Sequence, residues 1–106
     1  MDNFKVIYKI LKYLESAMDY SEPDYEPISA AALGLTEERW RLLMKMLTKN
    51  GYIDGVVLKQ YMRARITVIR FNPEITLRGL EYLHENSMMK KAMEVAKGIT
   101  DIIPGM

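Results

Sequence analysis

Apolar side chains recur every three or four positions over the first part of the chain. Lysines and Glu15 lie between these apolar residues. The apolar residues are Phe4, Ile7, Tyr8, Leu11, Leu14 and Met18. This spacing places apolar residues on one face of a helix and charged residues on the other. The pattern predicts a first helix from Asp2 to Tyr20, which must end before Pro23 because proline disfavours helical geometry in the residue before it.

Capping residues predict two more helices in the next part of the chain. Ser29 suits the N-cap of a short helix from Ala30 to Leu33, and Gly34 suits its left-handed end. Thr36 suits the N-cap of a third helix, which Asn50-Gly51 ends. The side chains expected to face inward from this helix, toward the first one, are Trp40, Leu43, Met44 and Leu47. The close succession of the two helices predicts a helix-turn-helix.

The spacing of apolar residues changes after Gly51, where β-branched and aromatic residues become frequent. Tyr52 to Leu58 and Arg65 to Phe71 contain no proline and are predicted to be strands. The connection between them lacks glycine, which favours a longer loop over a two-residue turn, and Asn72-Pro73 is expected to end the sheet. Thr76 is the expected N-cap of a fourth helix, which runs through Leu77, Leu80, Tyr82 and Leu83 to Glu85-Asn86.

A last amphipathic helix is predicted to begin at Ser87 and to end at Pro104-Gly105. Its wide, methionine-rich apolar stripe suits packing on the domain's own core or pairing with a second copy of the chain. The residues expected at such a dimer or partner interface are Met89, Ala92, Met93, Ala96, Ile99 and Ile103. A homodimer is therefore one expectation for this protein.

The predicted order of elements is helix, short helix, helix, hairpin and two further helices. This order is typical of a winged helix-turn-helix, and a two-stranded hairpin needs the helices beside it to be stable in water. We predict an α+β, mostly helical fold, with three helices, a two-stranded wing hairpin and two C-terminal helices. Residues 1–86 are expected to form the winged-helix domain, and residues 87–106 the appended helix.

Three stretches carry the most distinctive sequence: LGLTEERW at 33–40, NGYIDG at 50–55 and ITLRGLEYLHEN at 75–86. Together they resemble the YjcQ family, small proteins of Gram-positive bacteria and their prophages, and the last stretch is the most specific. The resemblance extends over nearly the whole chain and implies a winged-helix fold. It implies no catalytic or binding residues, because the family is described as uncharacterised. The segment from Lys59 to Arg65 has no matching pattern in it.

Composition excludes several classes of protein. The chain of 106 residues has no cysteine and one histidine, and we find no phosphate-binding glycine loop or paired-carboxylate cleft, so we expect no enzyme, cofactor or small-molecule substrate. The acidic segment from Asp19 to Glu26 lacks the glycine and terminal glutamate of a calcium loop, so no metal site is predicted. Short apolar runs predict neither a signal peptide nor a membrane span, which gives a cytoplasmic protein as the expectation.

Charge is distributed unevenly along the chain. The formal net charge is +1, yet Arg39 to Asn72 contain eight basic residues and one acid, Asp54. These positions lie on the third helix and the hairpin, which a winged helix presents to double-stranded DNA. Arg41 and Lys45 are the best candidates for the major groove, and the further DNA contacts are expected from Thr48, Lys49, Lys59, Arg63 and Arg65.

Two hypotheses about function remain open at this point. The first is a DNA-binding winged helix, such as a small regulator of a phage or mobile element. Glu37 and Glu38 begin the third helix and repel phosphate, so general DNA affinity is favoured over sequence-specific recognition. The second is a winged helix that binds another protein, with Leu42, Met46 and the methionine stripe as its contact surface.

Overall fold

The computed structural model describes residues 2–87, and the last predicted helix with its interface residues lies outside them. The described part is α+β, as predicted, and helices hold about half of it. Its helices are α1 (Asn3–Ala17), α2 (Ala30–Leu33), α3 (Glu37–Lys49) and α4 (Leu77–Glu85), with a short 3₁₀ helix at Glu26–Ile28. Its strands β1 (Ile53–Lys59) and β2 (Thr67–Ile75) form an antiparallel hairpin.

Helix α1 buries a broader face than the predicted stripe. Val6 and Ile10, which the stripe omitted, are buried, because β2 and α4 both pack on this helix. The prediction that Phe4 and Met18 lie on the buried face is wrong, since these residues are 63% and 62% exposed. Phe4 lies in the first turn of α1, and Met18 is the C-cap residue that follows Ala17.

The predicted ends of α2 and α3 are confirmed. The Ser29 hydroxyl accepts a hydrogen bond from the Ala32 amide at 3.2 Å, and the Thr36 hydroxyl accepts one from the Arg39 amide at 3.1 Å. Gly34 ends α2 with φ +71°, in the left-handed region. The four predicted inward residues of α3 are all buried: Trp40, Leu43, Met44 and Leu47. Helix α3 packs closely on β1 and shares one core with α1.

The hairpin extends past Asn72-Pro73, so the predicted end of the sheet is wrong. Strand β2 continues to Ile75, and the register shifts between the pairs Asp54↔Glu74 and Val56↔Phe71. This bulge explains how β2 passes through a proline, which has no N–H to donate to the sheet. The bulge depends on the residue opposite it, Gly55, where a Cβ atom would collide with the Asn72 carbonyl oxygen.

Helix α4 begins at its predicted cap and closes the core. The Thr76 hydroxyl accepts a hydrogen bond from the Gly79 amide at 3.1 Å and donates one to the Gly51 carbonyl at 2.6 Å. These two bonds fix the start of α4 beside the end of α3. Helix α4 also packs on α1 and β2, so residues from all the longer elements share one hydrophobic core.

Candidate functional site

Two adjoining open cavities lie between helix α3 and the hairpin. The first, of about 360 Å³, lies between α3 and β1, and the second, of about 330 Å³, lies between α3 and the loop that joins the strands. Gln60 and Ile66 line both, so the cavities form one depression, which we call the basic groove. The groove contains all the predicted DNA-contacting residues: Arg41, Lys45, Thr48, Lys49, Lys59, Arg63 and Arg65.

The first cavity is lined by lysines from both elements. Lys45 on α3 donates a hydrogen bond from Nζ to Gln60 Oε1 at 3.3 Å, which connects the helix with the hairpin loop. Lys49 and Lys59 also line this cavity, and both are exposed. The Thr48 hydroxyl donates to the Met44 carbonyl at 2.7 Å within α3. The three ammonium groups are thus available to an anion, while the threonine proton is used inside the helix.

Arg41 lies at the second cavity in a more enclosed position than its predicted place on the outer face of α3. Its side chain is 21% exposed, and its Nη2 lies 3.3 Å from Glu37 Oε1. Its Nε and Nη1 atoms are buried and have no hydrogen-bond acceptor among residues 2–87. The guanidinium therefore keeps unused donors next to a cavity.

The loop from 60 to 66 accounts for this enclosure. Gln60 Nε2 donates to the Ala64 carbonyl at 2.8 Å, and the Ala64 amide donates to the Tyr61 carbonyl at 2.8 Å. Met62 adopts a left-handed backbone with φ +53°, where a glycine is more usual. These bonds hold the loop in a tight turn, and Arg63 and Arg65 from it line the same cavity as Arg41.

The groove is strongly cationic along its length. Six basic side chains line it, and the one carboxylate among the lining residues is Glu38, at the start of α3. Glu37 stands beside Glu38 in the first helical turn and pairs with Arg41. Positive charge is consequently greatest toward Lys49 and Lys59, away from the acidic end.

Comparison with known proteins places the chain in a family. The family model described as YjcQ protein matches residues 8–102, which is most of the sequence. The chain belongs to the YjcQ family. The Bacillus subtilis (strain 168) protein described as uncharacterized protein YjcQ is 32% identical over 103 residues, which cover 97% of this chain and 99% of the relative. The solution NMR structure of the YjcQ protein from Bacillus subtilis is 30% identical and covers 77% of this chain and 92% of its own, with a TM-score of 0.48.

The two residues that line both cavities of this YjcQ-family chain were not predicted as site residues from the sequence. Gln60 connects α3 to the loop, and Ile66 is 7% exposed and lines both cavities. A signal was present for Ile66, because it is a β-branched apolar residue between Arg65 and Thr67 at the start of the predicted second strand. Gln60 carries no such signal, since its role depends on how the loop folds onto α3.

Residues 2–87 of this YjcQ-family chain show neither a metal-binding cluster nor a membrane-spanning helix. Within residues 2–87, no three histidine, aspartate or glutamate side chains lie close enough together to hold a metal ion. Asp24 of the acidic segment instead accepts a hydrogen bond from the Glu26 amide at 3.0 Å. None of the helices in the described residues has the length and apolar character needed to cross a membrane.

Proposed function

We propose that this YjcQ-family protein is a winged helix that binds double-stranded DNA through the basic groove. The observation that carries the proposal is the lining of two adjoining cavities by six basic side chains and a single carboxylate. Clustered lysines and arginines bind DNA by neutralising phosphates and releasing the counterions condensed on them.

The order and packing of the elements support the winged-helix part of the proposal. Helices α2 and α3 are joined through Gly34, Leu35 and Thr36, and the hairpin follows α3 directly. In a winged helix the second helix of the turn motif enters the major groove, and the hairpin contacts the backbone. Helix α3 and the β1–β2 hairpin are the corresponding elements here.

The side chains on α3 favour phosphate contacts over base recognition. Arg41, one of the two best candidates for the major groove, is largely buried and paired with Glu37. Thr48 uses its proton within the helix. The other two predicted DNA contacts on α3 are Lys45 and Lys49. Their ammonium groups are flexible point charges, which suit phosphate better than base edges. We therefore propose binding that depends little on DNA sequence.

A titration of the whole chain with a random-sequence duplex tests the proposal. We expect binding at low salt that weakens steeply at moderate salt, because counterion release sets the affinity. At the same salt concentration, Lys45→Ala should bind the duplex more weakly than the wild type does. Lys9 is an exposed lysine on α1 outside both cavities, so Lys9→Ala should bind as the wild type does. Absence of binding even at low salt would refute the proposal.

A second candidate function rests on two exposed apolar residues of α3. Leu42 and Met46 are 47% and 52% exposed and lie one helical turn apart, which is a suitable start for a protein contact. If this face binds protein, Met46→Ser, at a residue outside both cavities, should abolish an association measured by sedimentation and leave the DNA titration unchanged. Loss of DNA binding in Met46→Ser with no change in sedimentation would exclude this second function.

A further inference from the structure

We propose that the cavity beside Arg41 is a discrete binding site for a phosphate monoester. The site consists of Arg41 from α3, Arg63 and Arg65 from the hairpin loop, and an apolar wall. This site does not depend on DNA binding.

The hydrogen bonding of Arg41 is incomplete among the described residues. A guanidinium carries five N–H donors, and a buried charged donor that lacks an acceptor costs more free energy than a neutral one. Nε and Nη1 of Arg41 are buried without an acceptor among the described residues, while Nη2 faces Glu37. A ligand that brings oxygen atoms to this guanidinium supplies the missing acceptors.

The cavity wall carries an excess of positive charge. Arg63 and Arg65 are exposed on the loop, and with Arg41 they bring three guanidinium groups to the cavity. Two carboxylates stand near them, Glu38 in the lining and Glu37 paired with Arg41. The remaining positive charge favours an anion, and a phosphate monoester carries about −1.5 to −2 at neutral pH. The planar fork of arginine also fits the oxygens of phosphate better than an ammonium group does.

The size and lining of the cavity also suit a small phosphorylated ligand. Its volume of about 330 Å³ exceeds that of one phosphate and falls at the lower end of small-ligand sites, roughly 300 to 1,000 Å³. Leu42, Ala64 and Ile66 line it beside the arginines. The site therefore fits a phosphate group attached to a small organic group. Because Nε and Nη1 are shielded from solvent, the guanidinium must turn toward the cavity when the ligand enters.

Arginine Nε–H signals in ¹⁵N NMR spectra of the whole chain test the site directly. Inorganic phosphate should shift the Arg41 signal in a saturable manner, and chloride at the same ionic strength should not. The Arg78 signal is the internal control, because its guanidinium lies over the Tyr52 ring at 5.3 Å and outside the cavity. A shift that does not saturate, or that chloride reproduces, would overturn the proposal.

Variants separate a specific site from general attraction to charge. Arg41→Gln should weaken phosphate binding by about tenfold or more, since it removes hydrogen bonds from a charged donor. Arg63→Gln and Arg65→Gln change exposed residues, so they keep the test valid if Arg41→Gln does not fold, and each should weaken binding several-fold. Arg70→Gln, outside the cavity, should have no effect. Equal effects of the cavity variants and Arg70→Gln would refute the site.

Two duplexes then identify the source of the phosphate. If a duplex with a 5′-phosphate shifts the Arg41 signal and the same duplex with a 5′-hydroxyl does not, the ligand is a nucleic-acid end. If inorganic phosphate shifts the signal and neither duplex does, the ligand is a free phosphorylated molecule. Both outcomes support the site. Failure of the duplex to bind anywhere would refute the proposed DNA function alone, because the response to inorganic phosphate is measured separately.

Discussion

Gly34 and Gly55 both adopt the left-handed backbone, with φ +71° and +83°, but their surroundings differ. A Cβ atom at Gly34 would meet no heavy atom within 4 Å, whereas one at Gly55 would collide with the Asn72 carbonyl. At Gly34 the requirement for glycine is conformational only. At Gly55 it is also steric, because the bulge in β2 approaches the backbone of β1 closely.

Alanine substitutions should separate these two requirements. Gly34→Ala should lower the free energy of unfolding by about 1 kcal/mol, the cost of a left-handed non-glycine residue. Gly55→Ala should cost about 3 kcal/mol or more, because the strand backbone must also move. Urea denaturation measures both values, and equal costs for the two variants would contradict the bulge geometry.

Tyr82 gives a prediction for alkaline pH. Burial raises the pKa of Tyr82 above its ordinary value, and the nearby Tyr52 and Asp2 raise it further. Because the folded state favours the neutral phenol, this contribution to stability is complete below the unfolded pKa of about 10 and is lost as the pH rises through the folded pKa.

The free energy of unfolding should therefore fall less steeply above pH about 10 in Tyr82→Phe than in the wild type. The substitution keeps the ring contact with Tyr52, whose centroid lies 5.5 Å away. Tyr20→Phe, at a residue that is 69% exposed, should retain the wild-type fall. Urea unfolding at neutral and alkaline pH measures this, and identical profiles for wild type and Tyr82→Phe would contradict the burial argument.

At the scale of elements, helix α3 depends on its first turn. The Thr36 side chain caps the Arg39 amide at 3.1 Å, and Glu37 and Glu38 follow at the positive end of the helix dipole. Thr36→Ala should destabilise the fold by about 1 kcal/mol, and Thr36→Ser, which keeps the hydroxyl, should restore most of that loss. Thermal unfolding of both variants measures the effect; an equal loss in Thr36→Ser would show that the cap is not its source.

The same elements show which parts of the fold the sequence predicts. Helix ends at Ser29, Thr36 and Thr76 are local signals, because a cap bonds to backbone within three residues, and all three are confirmed. The end of β2 was predicted wrongly because the bulge depends on Gly55 in the other strand. The prediction of the buried face of α1 was incomplete for a similar reason, since three other elements pack on this helix.

At the scale of the whole molecule, the charge count predicted the members of the basic groove but not its shape. All seven predicted residues line it, because basic side chains of α3 and the hairpin remain on the surface wherever those elements pack. The enclosure of Arg41 was not predictable, since it depends on the fold of a glycine-free loop. The basic residues of the groove can thus be predicted from the sequence, whereas the cavity at Arg41 depends on the tertiary structure.

The salt dependence of duplex binding reports how many phosphates the basic groove contacts. In a plot of log affinity against log salt, each phosphate contact contributes about 0.9 to the slope. The double variant Lys45→Ala/Lys49→Ala should therefore give a slope shallower by about 2 than the wild type. The charge-matched control Lys5→Ala/Lys9→Ala, on the exposed face of α1, should remain parallel to the wild type. Equal slopes for the two double variants, or no binding by the wild type at low salt, would contradict a phosphate-binding groove.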